Sequence, residues 1–332
     1  MKRSRAFIFA VLILTCMLNP QACKNSPSSP SCDENGEWIA FSDRDISGRL
    51  QIFLIREDGT GRRKLTSVGD NGLPRWSPNG SQIVFSTNRD GGQRAVYIMN
   101  SDGSNQHHIL SSAQLADWSL NDELVFVSDP KSLGAGLQIS KSDLSGNSIT
   151  PLTTLADGGD AHIHPSWAPD GNRISYVQIK FDPNSPTTFN PEVWIMNSDG
   201  TNKRLVTTTN PDNLTPDGQF LNTAHDANAA DYGPRGWISF WSGEEMSYGQ
   251  VWKIRDDGTE RTQLTSTAEL TANDDPTWSP DGTKILFSTN RSGGGPELWI
   301  INSDESDPHF VTDNSAVPFP GDADWQPKQF NH

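Results

Sequence analysis

Cysteine is scarce in this chain. Cys16, Cys23 and Cys32 are the only three in 332 residues. No C-x-x-C pair occurs, and no H-E-x-x-H, G-x-S-x-G or P-loop segment occurs either. The usual signatures of thiol, zinc-hydrolase, serine-hydrolase and nucleotide-phosphate chemistry are therefore missing. Basic residues are also few. Lys and Arg number 26 against 41 Asp and Glu, a formal net charge of −15. No basic stripe follows the N-terminus, which argues against nucleic acid as a partner. The same acidity keeps a secreted domain soluble. Hydrophobic residues make up only 33%, low for ordinary helices packed round one large core. Gly (28), Pro (22) and Trp (11) are plentiful instead. Many turns, short strands and large aromatic anchors suit an all-β chain.

The longest apolar run lies at the start. Lys2, Arg3 and Arg5 precede an apolar stretch from Ala6 to Leu18. It is short for a comfortable membrane span. Asn19 and Pro20 break it, and Ala22 precedes Cys23. This is the order of a secretory signal. It resembles a bacterial lipoprotein signal, which implies residues 1–22 as signal peptide and lipid on the Cys23 thiol. Pro20 stands where such signals usually carry Leu. Simple secretion, with cleavage near Ala22, is the alternative, and then a Cys23–Cys32 bridge could staple the tail. Residues 23–32 read as a Ser/Pro-rich tether. The expected location is periplasm or cell surface, with the membrane reached through the lipid alone.

The remainder is periodic. Residues 76–93 read WSPNGSQIVFSTNRDGGQ, and residues 278–295 read WSPDGTKILFSTNRSGGG. The unit opens with Trp, a Ser-Pro-Asp/Asn-Gly turn and an apolar-x-aromatic strand. It recurs at Trp76, Trp118, Trp167 and Trp278, each followed by Phe85, Phe126, Tyr176 or Phe287. Two copies are degenerate. Ile238-Ser239-Phe240 has Asp231 at the expected Trp position. Ile39-Ala40-Phe41 lacks its first strand, which the segment around Trp325 supplies from the other chain end. Third strands follow, such as VYIMN (96–100) and VWIMN (193–197). Then comes an Asp-Gly turn and a short fourth strand. Proline sets φ at the first turn corner and glycine takes the positive φ at the exit. Alternation in Ile-x-Phe buries one face. Four short strands cannot cover both faces alone, so the units stack radially. Six second strands predict a six-bladed β-propeller of four-stranded antiparallel blades over residues 33–328. N- and C-terminal strands close the ring and remove a weak seam.

The repeats WSPDG, I-x-F-S and Y/W-I-M-N-S-D-G resemble the TolB-type β-propeller repeat over about residues 33–327. That resemblance implies a six-bladed propeller, a periplasmic or surface location and contact with other proteins. TolB itself carries an α/β domain before its propeller, where this chain has the short tether. Similar repeats occur beside prolyl-oligopeptidase-like peptidases and in oligogalacturonate lyases, so the fold leaves function open.

Four features are candidates for function. The third residue before each Trp should line one channel mouth: Leu73, Leu115, His164, Asn228, Asp275 and Asp322. Two positions earlier lie Asn71, Ala113, His162, Asp226, Asn273 and Pro320, with Asp274 between and His225 adjacent. The set His162, His164, His225, Asp226, Asp274, Asp275 and Asp322 could bind a divalent cation, a cationic peptide group or only channel water. Second, the loops at Arg44, Arg89 and Arg291 could bind a carboxylate, or serve as hairpins with a satisfied arginine. Third, Trp241, Glu244, Glu245 and Tyr248 could form an acidic aromatic rim for sugar or peptide; Trp241 and Tyr248 could equally pack on a neighbouring blade. Fourth, segments 180–192 and 210–234 exceed ordinary loop length and could carry binding. TPDG at 215–218 is a degenerate hairpin or a decoy.

The expected function is a monomeric binding or scaffold propeller for an envelope protein, peptide or glycan, with no cofactor required. The alternative is a metal-assisted glycan lyase or hydrolase using the His/Asp cluster.

Overall fold

The structure is a computed structural model. It describes residues 38–128, 136–157, 161–182, 185–207, 225–243, 249–265, 272–291, 297–312 and 321–327. These residues form six four-stranded antiparallel sheets.

Blade 1 combines Gly321–Trp325 with Trp38–Arg44, Leu50–Arg56 and Arg63–Lys64. Blade 2 runs through Asn71–Trp76, Gln82–Thr87, Ala95–Asn100 and His107–Ser111. Blade 3 uses Ala113–Trp118, Glu123–Ser128, Gln138–Asp143 and Thr150–Pro151. Blade 4 uses Ala161–Trp167, Arg173–Asp182, Ser185–Asn197 and Arg204–Leu205. Blade 5 uses His225–Tyr232, Trp237–Gly243, Gln250–Arg255 and Thr262–Gln263. Blade 6 uses Asn273–Trp278, Lys284–Thr289, Glu297–Asn302 and His309–Phe310. The first blade is closed as expected, with Ile39 opposite Trp325 and Phe41 opposite Ala323.

The core is six cores. In Ile39-Ala40-Phe41, Ile39 and Phe41 pack against Leu286, Leu298 and Ile300 of blade 6. Ala40 faces the other way, toward Trp76, Ile83 and Phe85 of blade 2. Blades 2 and 3 share Val84, Val96, Trp118 and Phe126. Blades 3 and 4 share Ile139, Trp167 and Tyr176. Blades 4 and 5 share Val177, Val193, Ile238 and Phe240. Blades 5 and 6 share Val251, Trp278 and Phe287. The period of two sends alternate side chains to opposite neighbours. Each large side chain buried between blades contributes about 2 kcal/mol, so no blade has a complete core without both neighbours.

Every first strand is kinked at the same place. Pairing with the second strand slips between Gly72 and Arg75, Gln114 and Asp117, Ile163 and Ser166, Asp274 and Thr277, and, in blade 1, Gly321 and Ala323. Blade 5 slips twice, the second time between Asn228 and Asp231. These are β-bulges, and they turn the strand along the channel. The long segment 180–192 is mostly an extension of the blade-4 hairpin, with Lys180 opposite Asn190 and Phe181 opposite Phe189. Residues 210–224, including the 215–218 turn, lie outside the described residues.

Candidate functional site: a channel divided by Arg75

One residue of each bulge has a left-handed backbone. Leu73, Leu115, His164, Ala229, Asp275 and Asp322 have φ of 57°, 53°, 49°, 50°, 48° and 44°. None is glycine, so each costs on the order of 1 kcal/mol. All six line one small central cavity of about 30 Å³, enough for roughly two waters. The expected ring is thus present, with one correction. In blade 5 the ring residue is Ala229, not Asn228. Tyr232 takes the Trp position, and Asp231 occupies the position before it. Asp231 is one of a set: the residue preceding the aromatic accepts the next blade's backbone. Trp278 N–H donates to Asp231 Oδ2 at 2.9 Å, Trp167 N–H to Asp117 Oδ2 at 2.6 Å, and Tyr232 N–H to Ser166 Oγ at 3.1 Å.

The predicted site residues separate. His164, Asp275 and Asp322 line the cavity. His162 does not: it is fully buried between blades 3 and 4, its Nδ1 3.2 Å from Gln138 Oε1 of blade 3 and its ring 5.8 Å from Tyr176 of blade 4. Alternation alone would put it on the face of His164, but the bulge between Ile163 and Ser166 breaks the period and the two side chains part. Asp274 stands beside Asp275, whose N–H donates to Asp274 Oδ1 at 2.8 Å. His225 and Asp226 lie on the first strand of blade 5, and their side chains are outside the described residues. Glu244, Glu245, Tyr248 and Cys23 also lie outside them. Trp241 is 4% exposed and stacks over Gly249, where a Cβ would sit 2.6 Å from the indole. It is a packing residue. Among the described residues, no group of three or more His, Cys, Asp or Glu is placed to hold a metal.

The arginine loops are structural. Arg89 donates to Asn71 Oδ1 and Gln106 Oε1, both at 2.8 Å, and lies 4.7 Å over Tyr97. Arg291 stacks on Trp299, and Arg44 donates to Gly48 O at 2.7 Å. Asn71 is buried by the same network and makes further bonds to Gln51 and the 68–69 backbone.

The residue that organises the channel is Arg75, which holds in blade 2 the position before the aromatic that Asp117, Asp231 and Asp324 hold in their own blades. Its Nη1 reaches Thr277 Oγ1 (3.4 Å) and Ala323 O (3.5 Å). The same nitrogen lies 3.6 Å from Asp324 and 3.8 Å from Asp231. Burial opposes its charge, but Asp231 and Asp324 more than offset this and hold the guanidinium protonated. The carboxylates feel burial most. It pushes Asp117 up to about 6 and Asp324 up to about 7, despite the attraction of Arg75. Toward the small cavity, burial and then Asp275 push Asp322 up to about 7. Burial, followed by its carboxylate neighbours, also raises Asp274. His164 goes the other way, down to about 4, through burial and then Arg75. It is neutral at neutral pH.

On the other side of Arg75 a funnel of about 220 Å³ opens among the first turns of all six blades. Trp76, Trp118, Trp167, Tyr232, Trp278 and Trp325 form its wall. Its fringe is Pro78, Leu120, Pro169, Pro234, Pro280 and Pro327, one from each turn. Arg75 lines both spaces. The arrangement is an apolar collar above a charged floor, suited to gripping a protruding group.

The family model described as TolB beta propeller domain matches residues 20–217. No curated protein matches the chain. Among solved structures, TolB from Acinetobacter baumannii is similar at TM-score 0.69 and 17% identity, covering 96% of this chain and 72% of that one. Hydrazine synthase from Kuenenia stuttgartiensis is similar at TM-score 0.67 and 14% identity, over 88% of this chain and 47% of that one. An oligogalacturonate lyase in complex with manganese is similar at TM-score 0.52 and 14% identity, over 84% and 74%. At these identities the likeness is one of fold.

Proposed function

We propose that this chain, which belongs to the TolB beta-propeller domain family, is an envelope-anchored binding module that grips a protein, peptide or glycan at a channel mouth. The observation that carries this reading is the division of the channel. A conduit or a deep catalytic pocket needs continuous space. Here Arg75 and its carboxylates stand between a water-sized cavity and an open funnel. The funnel offers a rigid apolar collar built on six turns, the kind of preformed surface that binds at low entropic cost.

A metal-assisted glycan enzyme is the second reading. It draws on the cavity-facing, neutral His164 and the fold likeness to a lyase. His225 and Asp226 would complete its cluster.

The two readings separate with one photo-crosslinking residue placed at Leu120, exposed on the funnel fringe, and another at exposed Ile149 on the outer edge of blade 3. Binding at the funnel gives a discrete adduct in cells from position 120 and none from 149. Matching patterns at the two positions, or no adduct at either, would defeat the binding reading. Chelator-sensitive cleavage of a glycan by the purified chain would establish the other.

A further inference from the structure

We infer that the rim of blade 1 is a docking surface for anionic lipid headgroups, a step that rests on the lipid-anchor reading of Cys23. The chain divides its charge unevenly. Residues 38–65 hold six Lys or Arg against four Asp or Glu, whereas residues 66–332 hold sixteen against thirty-four. The outer three strands of blade 1 are thus the basic segment of an acidic molecule, while the two aspartates of its innermost strand, Asp322 and Asp324, line the channel.

Its cations face outward. Arg63 and Lys64 form the exposed edge strand, and Arg49 is exposed in the loop between the second and third strands. Arg62 is held by Asp43 at 2.5 Å with its side chain still 35% exposed. Trp38 lies between two guanidiniums, 4.8 Å from Arg56 and 5.1 Å from Arg63. Ile46 is fully exposed beside Arg49. Cations, a half-buried indole and a projecting aliphatic side chain are the combination that suits a bilayer interface.

Chain connectivity gives the second argument. The segment bearing Cys23 enters the propeller at Trp38, in blade 1. Fifteen residues span at most roughly 50 Å, so an acylated Cys23 holds this blade, where the chain enters, within that distance of the membrane. Anionic headgroups attract the basic rim within a Debye length of about 8 Å and repel the acidic remainder. Tether and charge therefore favour the same orientation.

The test floats the full chain with vesicles of phosphatidylcholine, with and without phosphatidylglycerol. It then reads amide hydrogen exchange in loop 45–49 and strand 63–64. Docking predicts slower exchange there only when phosphatidylglycerol is present, reversed by high salt. The variant R49E/R63E/K64E, checked for native near-UV circular dichroism, should lose that protection. Its phosphatidylglycerol-dependent affinity should fall roughly a hundredfold, about fivefold per lost cation. Flotation with phosphatidylglycerol vesicles alone would keep the docking surface and remove the anchor. Flotation with both vesicles but unchanged exchange in the rim would remove the docking surface and keep the anchor. Flotation with neither would remove both. Protection of the rim by polyglutamate but not by lipid would overturn the assignment in favour of an acidic protein.

Discussion

Trp76 donates its backbone N–H to Asp324 Oδ2 at 2.7 Å across 248 residues of sequence. Asp324 belongs to the strand that closes blade 1, and Trp76 opens the wall of blade 2. The bond therefore ties the C-terminal strand to the blade beyond the one it completes. The Asp117–Trp167 and Asp231–Trp278 bonds repeat it elsewhere in the ring.

Asp324→Ala should cost on the order of 2 kcal/mol. It leaves the Trp76 N–H without its acceptor and Arg75 without one of two near carboxylates. Asp324→Asn keeps an acceptor and should cost less. Urea denaturation of the two variants measures the difference. Equal stability of Ala and wild type would show that the bond has no part in closure.

Arg75→Met should be the more damaging change, at about 3–5 kcal/mol near neutral pH, because it strands Asp117, Asp231 and Asp324 around an apolar side chain. Adding Asp324→Asn to Arg75→Met should restore part of the loss. The double-mutant cycle reads the coupling. Strict additivity would mean that the guanidinium and the carboxylate do not interact.

Stability should peak in mildly acidic solution. Asp117, Asp322 and Asp324 have folded values of about 6, 7 and 7, above the ordinary 3.8. The folded state binds their protons more tightly, so their contribution is full below about 4 and is lost as pH rises through 6–7. The turn aspartates act oppositely. Hydrogen bonds from Ser47 lower Asp45 to about 2, and Thr60 or Ser104 lower Asp58 and Asp102. Their contribution is present above about 4 and fades as pH falls further. Calorimetry should therefore show Tm rising from pH 8 to about 5 and falling below about 4. Asp322→Asn should flatten the upper limb and add on the order of 1 kcal/mol at pH 8. A Tm that climbs steadily from pH 5 to 8 would refute the burial argument.

Gly233→Ala should destabilise strongly. Its added Cβ would fall 2.3 Å from the Trp278 ring, which packs on the turn of blade 5. Moving that indole disturbs the core between blades 5 and 6, and a loss of about 2–3 kcal/mol is expected. Gly48→Ala is the control. Nothing lies within 4 Å of the new Cβ, and only the φ of +79° is strained, at about 1 kcal/mol. Thermal melts of both variants should rank them in that order.

The sequence by itself determined the blade. Trp, a Pro-Asp-Gly turn and Ile-x-Phe specify a hairpin whose local geometry depends on proline, glycine and period-two burial, all visible in one repeat. Counting Phe41, Phe85, Phe126, Tyr176, Phe240 and Phe287 was enough for six blades, because each blade needs one such strand. The ring residues Leu73, Leu115, His164, Asp275 and Asp322 were legible by offset from Trp. Blade 5 was not, because Tyr232 replaces Trp and Asp231 imitates a degenerate anchor. A search allowing any aromatic at that place would have found Tyr232 and hence Ala229. His162 shows a different limit. Offset cannot tell a channel residue from one buried between blades when a bulge lies between them and resets the alternation. Tertiary structure alone decided the roles of Arg75, Asp117, Asp231 and Asp324. They come from four blades and are distant in sequence. Their ion pairs and hydrogen bonds exist only once the ring has closed and buried them together.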